Sequence, residues 1–188
     1  MKMNSRDWIF VTGKAFSGKT YWIKKHLEKV PQERLAILDY NSNDYQEYAK
    51  PGSKAGVWNV HTGLMPEIEK FISTVYRHGN CTVVLSESDN YLTSQTPLMR
   101  QFVTTGRNRG INAIVDGKRP KSVPPNYRTR FNYLVLFQTS APEDLDYLEK
   151  WVGCEKGHLA ELGVPTLKLG EHIIVNLDTH EISGIKKL

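Results

Sequence analysis

The sequence predicts an α/β domain with a mainly parallel central sheet, flanked by helices and ending in a C-terminal β-hairpin. Three observations carry this reading. An apolar run passes directly into a glycine-spaced turn and then a helical stretch. Short β-branched runs then alternate with longer stripes of helical period. Two final apolar runs are separated by a short polar turn. At 188 residues the chain suits a single domain spanning 1–188 with a sizeable core.

The elements follow in order. Trp8-Ile9-Phe10-Val11 marks a first strand over about 7–12, and Tyr21-Trp22-Ile23-Lys24-Lys25-His26-Leu27 reads as the first helix. Beyond Pro31, Arg34-Leu35-Ala36-Ile37-Leu38-Asp39 forms the second strand. The polar segment from Tyr40 to Gly56 is an irregular surface excursion, followed by a short strand at Val57-Trp58-Asn59-Val60. Leu64, Ile68, Phe71, Ile72 and Val75 make a helical stripe that runs to His78 and stops at Gly79. Cys81-Thr82-Val83-Val84-Leu85 is a continuous run, as expected of a strand covered on both faces. A helix over 96–106 starts near Pro97, and strands follow at Ile111–Val115 and Tyr133–Phe137. Pro142 opens a helix through Trp151. His172–Leu177, the turn Asp178-Thr179-His180 and Glu181-Ile182-Ser183 make the terminal hairpin. Trp8, Trp22, Trp58 and Trp151 are read as packing residues.

Composition narrows the functional class. With 39% hydrophobic and 24% charged residues, the chain is ordinary for a soluble globular protein. No apolar run approaches a membrane span, and Met1 to Asp7 lacks a signal-peptide core, so no transmembrane segment is expected. Cys81 and Cys154 make no disulfide framework, which points to a reducing cytoplasm. Cys154 and His158 have no second metal-ligand pair nearby, so a zinc site is not expected there. Net charge is a modest +5. Its distribution is uneven: Arg100, Arg107, Arg109, Lys118, Arg119, Lys121, Arg128 and Arg130 face only Asp116 between positions 100 and 130. Such a stretch is either a solvated basic face or an anion-handling surface.

The chemistry lies between the first strand and the first helix. Gly13-Lys14-Ala15-Phe16-Ser17-Gly18-Lys19-Thr20 spells G-x-x-x-x-G-K-[ST], the phosphate-binding P-loop, in the strand–turn–helix context that gives the motif meaning. The glycines let consecutive N–H groups turn toward phosphate oxygens, and the following helix, from Tyr21, adds its dipole. Lys19 contacts the β- and γ-phosphates, and the Thr20 hydroxyl is a ligand for Mg²⁺. The expected ligands are therefore ATP and Mg²⁺. In a parallel sheet the carboxyl ends of the strands face the phosphates. After Val83-Val84-Leu85 come Ser86 and Glu87, with Glu87 the candidate base that polarises the attacking water. Ser86 stands at the metal-shell position, where a hydroxyl can bond a metal-bound water but adds no negative charge.

After the next strand comes Asp116-Gly117-Lys118-Arg119-Pro120, and before it Arg107-Asn108-Arg109-Gly110-Ile111. In order and spacing from about 8 to 140, the segments GKAFSGKT, VVLSES, RNRGINAIV and KRP resemble the FtsK–HerA superfamily of hexameric DNA-pumping ATPases. The small viral genome-packaging members are the most similar in size. Leu38-Asp39-Tyr40-Asn41, with Tyr45 or Tyr48 beyond, is similar to the segment after that family's second strand. The resemblance implies a RecA/FtsK–HerA-like P-loop core and ATP-driven DNA translocation, with packaging of viral DNA into a capsid. It also implies a homo-oligomeric ring, most simply a hexamer. Double-stranded DNA would be contacted through basic loops, and capsid or membrane-vertex proteins would be further partners. Arg107 would be the arginine finger presented to a neighbouring subunit, with Arg109 the alternative. Lys118 would stand where the family has a γ-phosphate-sensing glutamine, and Arg119 and Lys121 would touch phosphate or line a pore. Ser86 in place of aspartate and Lys118 in place of glutamine both predict slow or partner-dependent hydrolysis, which leaves open a nucleotide-gated assembly protein. The P-loop with its several arginines also leaves open a small kinase that transfers phosphoryl to a nucleotide or metabolite.

Overall fold

A computed structural model describes residues 7–40, 43–60 and 65–188. Met1 to Arg6, Asn41 and Leu64 lie outside the described residues, as does the side chain of Trp58. The chain runs through β1 (Trp8–Thr12), α1 (Lys19–Leu27), β2 (Leu35–Tyr40), β3 (Gly56–Val60) and α2 (Met65–His78). It continues through β4 (Thr82–Leu85), α3 (Pro97–Thr105), β5 (Asn112–Gly117), α4 (Pro125–Arg128) and β6 (Tyr133–Leu136). The last elements are α5 (Pro142–Val152), α6 (His158–Glu161), β7 (Glu171–Asn176), β8 (Glu181–Ile182) and β9 (Lys186–Lys187).

Among the described residues nine strands form one sheet, in the order β3-β2-β4-β5-β1-β6-β7-β8, with β9 pairing β7. All pairs from β3 to β6 are parallel. Antiparallel pairing begins at β6–β7 and continues into β8 and β9. The expected parallel core and terminal hairpin are both present. The short helices α4 and α6 and the two-residue β9 have too few residues to show a period, and pattern alone does not reveal them.

Strand alternation divides the core in two. Trp8, Phe10, Val83, Leu85, Ala113 and Val115 face α2, α3 and α5. Ile9, Val11, Ile37, Val84 and Ile114 face the other way, where Trp22, Ile23 and Leu27 of α1 cover them. Tyr45, from the polar excursion after β2, is buried at 1% exposure and extends the cover that α1 gives. Local chemistry fixes the element ends. The Thr96 hydroxyl accepts the N–H of Met99 at the start of α3. Buried Glu149 on α5 accepts the N–H groups of Gly157 and Leu159, each at 3.0 Å, and so holds α6 in place. Trp8 seats its indole N–H on the Ile111 carbonyl at 3.0 Å and packs beside Phe102 and Phe131.

Candidate functional site

The loop from Gly13 to Gly18 joins β1 to α1 at the carboxyl end of the sheet. Gly13 has φ +142°, and a Cβ there would come within 2.6 Å of the Phe137 Cβ, so the chain can leave β1 beside the end of β6 only as glycine. Gly18, at φ +109°, begins α1 in the left-handed region. No side chain caps this helix, and its first turn holds no acidic residue. Its first N–H groups and the positive end of its dipole are therefore available to an anion. The Ser17 hydroxyl donates to the Lys14 carbonyl at 2.8 Å, and the Ser17 carbonyl accepts the Gly170 N–H at 3.0 Å, pinning the loop from both sides. Lys14, Ala15 and Phe16 are exposed, Phe16 almost completely at 97% and with φ +59°. Tyr21 is 58% exposed, with the Lys25 ammonium 5.8 Å from its ring centroid.

Lys19 is buried within this loop. Its Nζ donates to the carbonyls of Gly13 at 2.9 Å and Lys14 at 3.0 Å. Burial pulls its pKa down, while Asp116 and then Glu87 act in the opposite direction. The Thr20 hydroxyl donates to Asp44 at 3.4 Å. An uncapped helix start, a buried ammonium and an adjacent hydroxyl form a donor set that fits a triphosphate with its magnesium. The residues that would hold them are the backbone of 13–20 with the side chains of Lys19 and Thr20.

The carboxylates come from the neighbouring strand ends. Glu87 follows β4 in a left-handed conformation, φ +50° and ψ +42°, which is strained for a residue with a side chain. Its N–H donates to Asp116 Oδ1 at 3.1 Å, and its carboxylate lies 2.8 Å from Lys118 Nζ. That bond raises the pKa of Lys118. Asp116, on β5, is buried at 5% exposure. Burial pushes its carboxyl up to about 7, against the pull of the Lys19 charge. The Ser86 hydroxyl accepts the Tyr40 N–H at 2.9 Å, so it is engaged with β2. The structure thus gathers Lys19, Ser86, Glu87 and Lys118 at one end of the sheet. It also adds Asp116, along the chain a lone acid in a basic stretch. Strand parity was the available signal, because Asp116 falls on the same face as Ile114, toward α1.

Arg107 is elsewhere. Its guanidinium donates to the Arg130 carbonyl and, at 2.7 Å, to Asn132 Oδ1, which also accepts the N–H of Trp8. These groups surround the amino ends of β1 and β6, across the sheet from the chain's own P-loop. Arg109 donates to the carbonyls of Tyr76 and Arg77 at 3.2 and 2.9 Å. A finger role for either arginine therefore requires a second subunit. The basic stretch is also less basic in space than along the chain. Lys118 pairs with Glu87, Arg119 with Asp144 at 3.1 Å and Lys121 with Glu143. Arg128 lies over the Tyr147 ring at 4.5 Å.

The fold has solved counterparts. The DNA-packaging ATPase from Sulfolobus turreted icosahedral virus superposes with a TM-score of 0.80 at 22% identity, covering 98% of this chain and 98% of that one. The genome packaging NTPase from Sulfolobus turreted icosahedral virus 2, in complex with AMPPCP, gives 0.77 at 20% identity over 98% of each chain. At these identities the likeness shows the fold, a P-loop α/β domain with a central sheet flanked by helices. A less similar structure, the N-terminal domain of zonular occludens toxin from Neisseria meningitidis, gives a TM-score of 0.52 at 13% identity, over 97% of this chain and 94% of that one. No family model and no curated protein matches the sequence. No helix among the described residues is long and apolar enough to cross a membrane.

Proposed function

We propose that this chain is an ATP-hydrolysing DNA translocase that packages viral genomic DNA into a capsid, working as a homo-oligomeric ring. The observation that carries the reading is the joint placement of Lys19, Thr20 and Glu87 at the carboxyl end of a sheet that superposes, over nearly its whole length, on a viral DNA-packaging ATPase. In this reading the 13–20 backbone and Lys19 grip the triphosphate, and Thr20 contributes a metal ligand. When bound, magnesium offsets charge on the terminal phosphates. Glu87 takes a proton from the attacking water as the bond from the γ-phosphorus to the departing ADP oxygen breaks. Arg107 of a neighbouring subunit supplies positive charge to the transition state, leaving its intrachain acceptors to do so. Exposed basic side chains contact the DNA backbone, so binding is salt-sensitive and only weakly dependent on sequence.

A second reading is a nucleotide-gated assembly protein with weak hydrolysis. The Glu87–Lys118 ion pair favours it, since it occupies the carboxylate needed to activate water. Phosphate release and particle size, each measured with and without ATP and duplex DNA, separate the two. DNA-stimulated release from a ring supports the translocase. Ring formation on nucleotide with no release supports the assembly protein. A monomer indifferent to both ligands rules out the translocase.

A further inference from the structure

Building on the nucleotide-hydrolysing reading, we propose that Asp116 supplies the negative charge missing at Ser86, holding the water shell of the nucleotide-bound magnesium from the next strand. β4 and β5 run parallel in the register Leu85↔Val115, so Ser86 and Asp116 are adjacent at the strand ends. Val84 and Ile114, two residues earlier on each strand, both face α1. By the two-residue alternation of a strand, Ser86 and Asp116 face it too. β5 lies between β4 and β1, and Asp116 is in register with Val11 of the P-loop strand. Asp116 is therefore one strand nearer to Lys19 than Ser86 is.

The chemistry of the two positions agrees. The Ser86 hydroxyl already accepts the Tyr40 N–H. Asp116 Oδ1 accepts the Glu87 N–H, so the same carboxyl that carries the charge also sets the backbone of the candidate base. A buried carboxylate is costly unless it is paired or serves a bound cation. The described residues assign Asp116 no salt bridge, and the charge that most favours its ionised form is that of Lys19. Asp39, on β2, also falls on this face, but it accepts the Tyr45 N–H at 3.1 Å and is two strands farther from β1 than Asp116. Asp116 is a positioning residue in this scheme: it reaches the metal through water and leaves direct ligation to Thr20.

The test is the magnesium dependence of nucleotide affinity, read by fluorescence of mant-ATPγS in Mg²⁺ or in EDTA. Four proteins are compared: wild type, Asp116→Asn, Ser86→Asp with Asp116→Asn, and the exchange Ser86→Asp with Asp116→Ser. Asparagine keeps the volume and the acceptor for the Glu87 N–H while removing the charge. Magnesium is expected to tighten wild-type binding by about tenfold or more, and Asp116→Asn to reduce that ratio to within about twofold of unity with little change in EDTA. Ser86→Asp is expected to restore at least about threefold of the ratio in either double variant. An unchanged magnesium ratio in Asp116→Asn overturns the proposal, as does an equal loss of affinity in Mg²⁺ and EDTA. A wild type that binds no nucleotide in either buffer overturns the reading on which the proposal rests, and the proposal with it.

Discussion

Lys118 Nζ lies 2.8 Å from the carboxylate of Glu87, so the residue proposed to sense the γ-phosphate is bonded to the candidate base. A carboxylate held this way must be released before it can take a proton from water. Lys118→Gln is expected to raise basal ATP turnover by roughly tenfold, and Glu87→Gln to lower it by about 100-fold or more. Steady-state phosphate release measures both. Slower turnover in Lys118→Gln would show that the lysine aids the reaction.

Lys19 makes its hydrogen bonds to carbonyls of its own loop. Removing a buried ammonium costs the fold little, because burial already disfavours its charge. Lys19→Ala is expected to melt within a few degrees of wild type and to lose about 100-fold in MgATP affinity. Paired calorimetric titration and thermal scans decide this. Undiminished affinity would remove the P-loop from the account.

Asp116 predicts a pH signature in stability. Its folded pKa, about 7, is above the ordinary 3.8, so the folded state holds this proton more tightly than the unfolded state does. The destabilisation is absent below the unfolded value, grows as pH rises through this window and is complete above about 7, where it is on the order of 4 kcal/mol. Asp116→Asn has no such term. The two proteins are expected to melt together near pH 4 and to diverge by roughly 8–16 °C at pH 8, with the variant the more stable. Parallel melting curves across that range would contradict the assignment.

Arg107 predicts a split between stability and rate. Its hydrogen bonds to Arg130 and Asn132 tie two loops together, and Arg107→Ala is expected to cost about 1–3 kcal/mol in urea unfolding. If it also acts across a subunit boundary, mixing Arg107→Ala with Lys19→Ala subunits restores hydrolysis at the mixed interfaces. Failure of complementation, together with the stability loss, would leave Arg107 as a structural clamp.

Much of this was legible from sequence, for physical reasons. The strand–turn–helix passage around Gly13 and Gly18 has few alternatives, because the motif needs both glycines and the following helix. β-branched runs such as Thr82–Leu85 marked buried strands because only a doubly covered sheet hides them. The Glu87–Lys118 pair was not legible, since it depends on β4 and β5 being lateral neighbours. Partners of Arg107 lie 23 and 25 residues away, on the segment entering β6. The offset of Arg119 and Lys121 by Asp144 and Glu143 likewise needed α5 folded back beside them. Asp116 alone was within reach, through the parity of its strand.

β1 is only five residues long, yet it carries the phosphate loop at one end and the Trp8–Asn132–Arg107 knot at the other. At about 3.3 Å per residue such a strut spans some 13–17 Å. It is hydrogen-bonded on both sides, to β5 and β6. In the proposed ring, such a strut would join the rim that meets a neighbouring subunit to the rim that holds the nucleotide, so that a push received at one would be felt at the other.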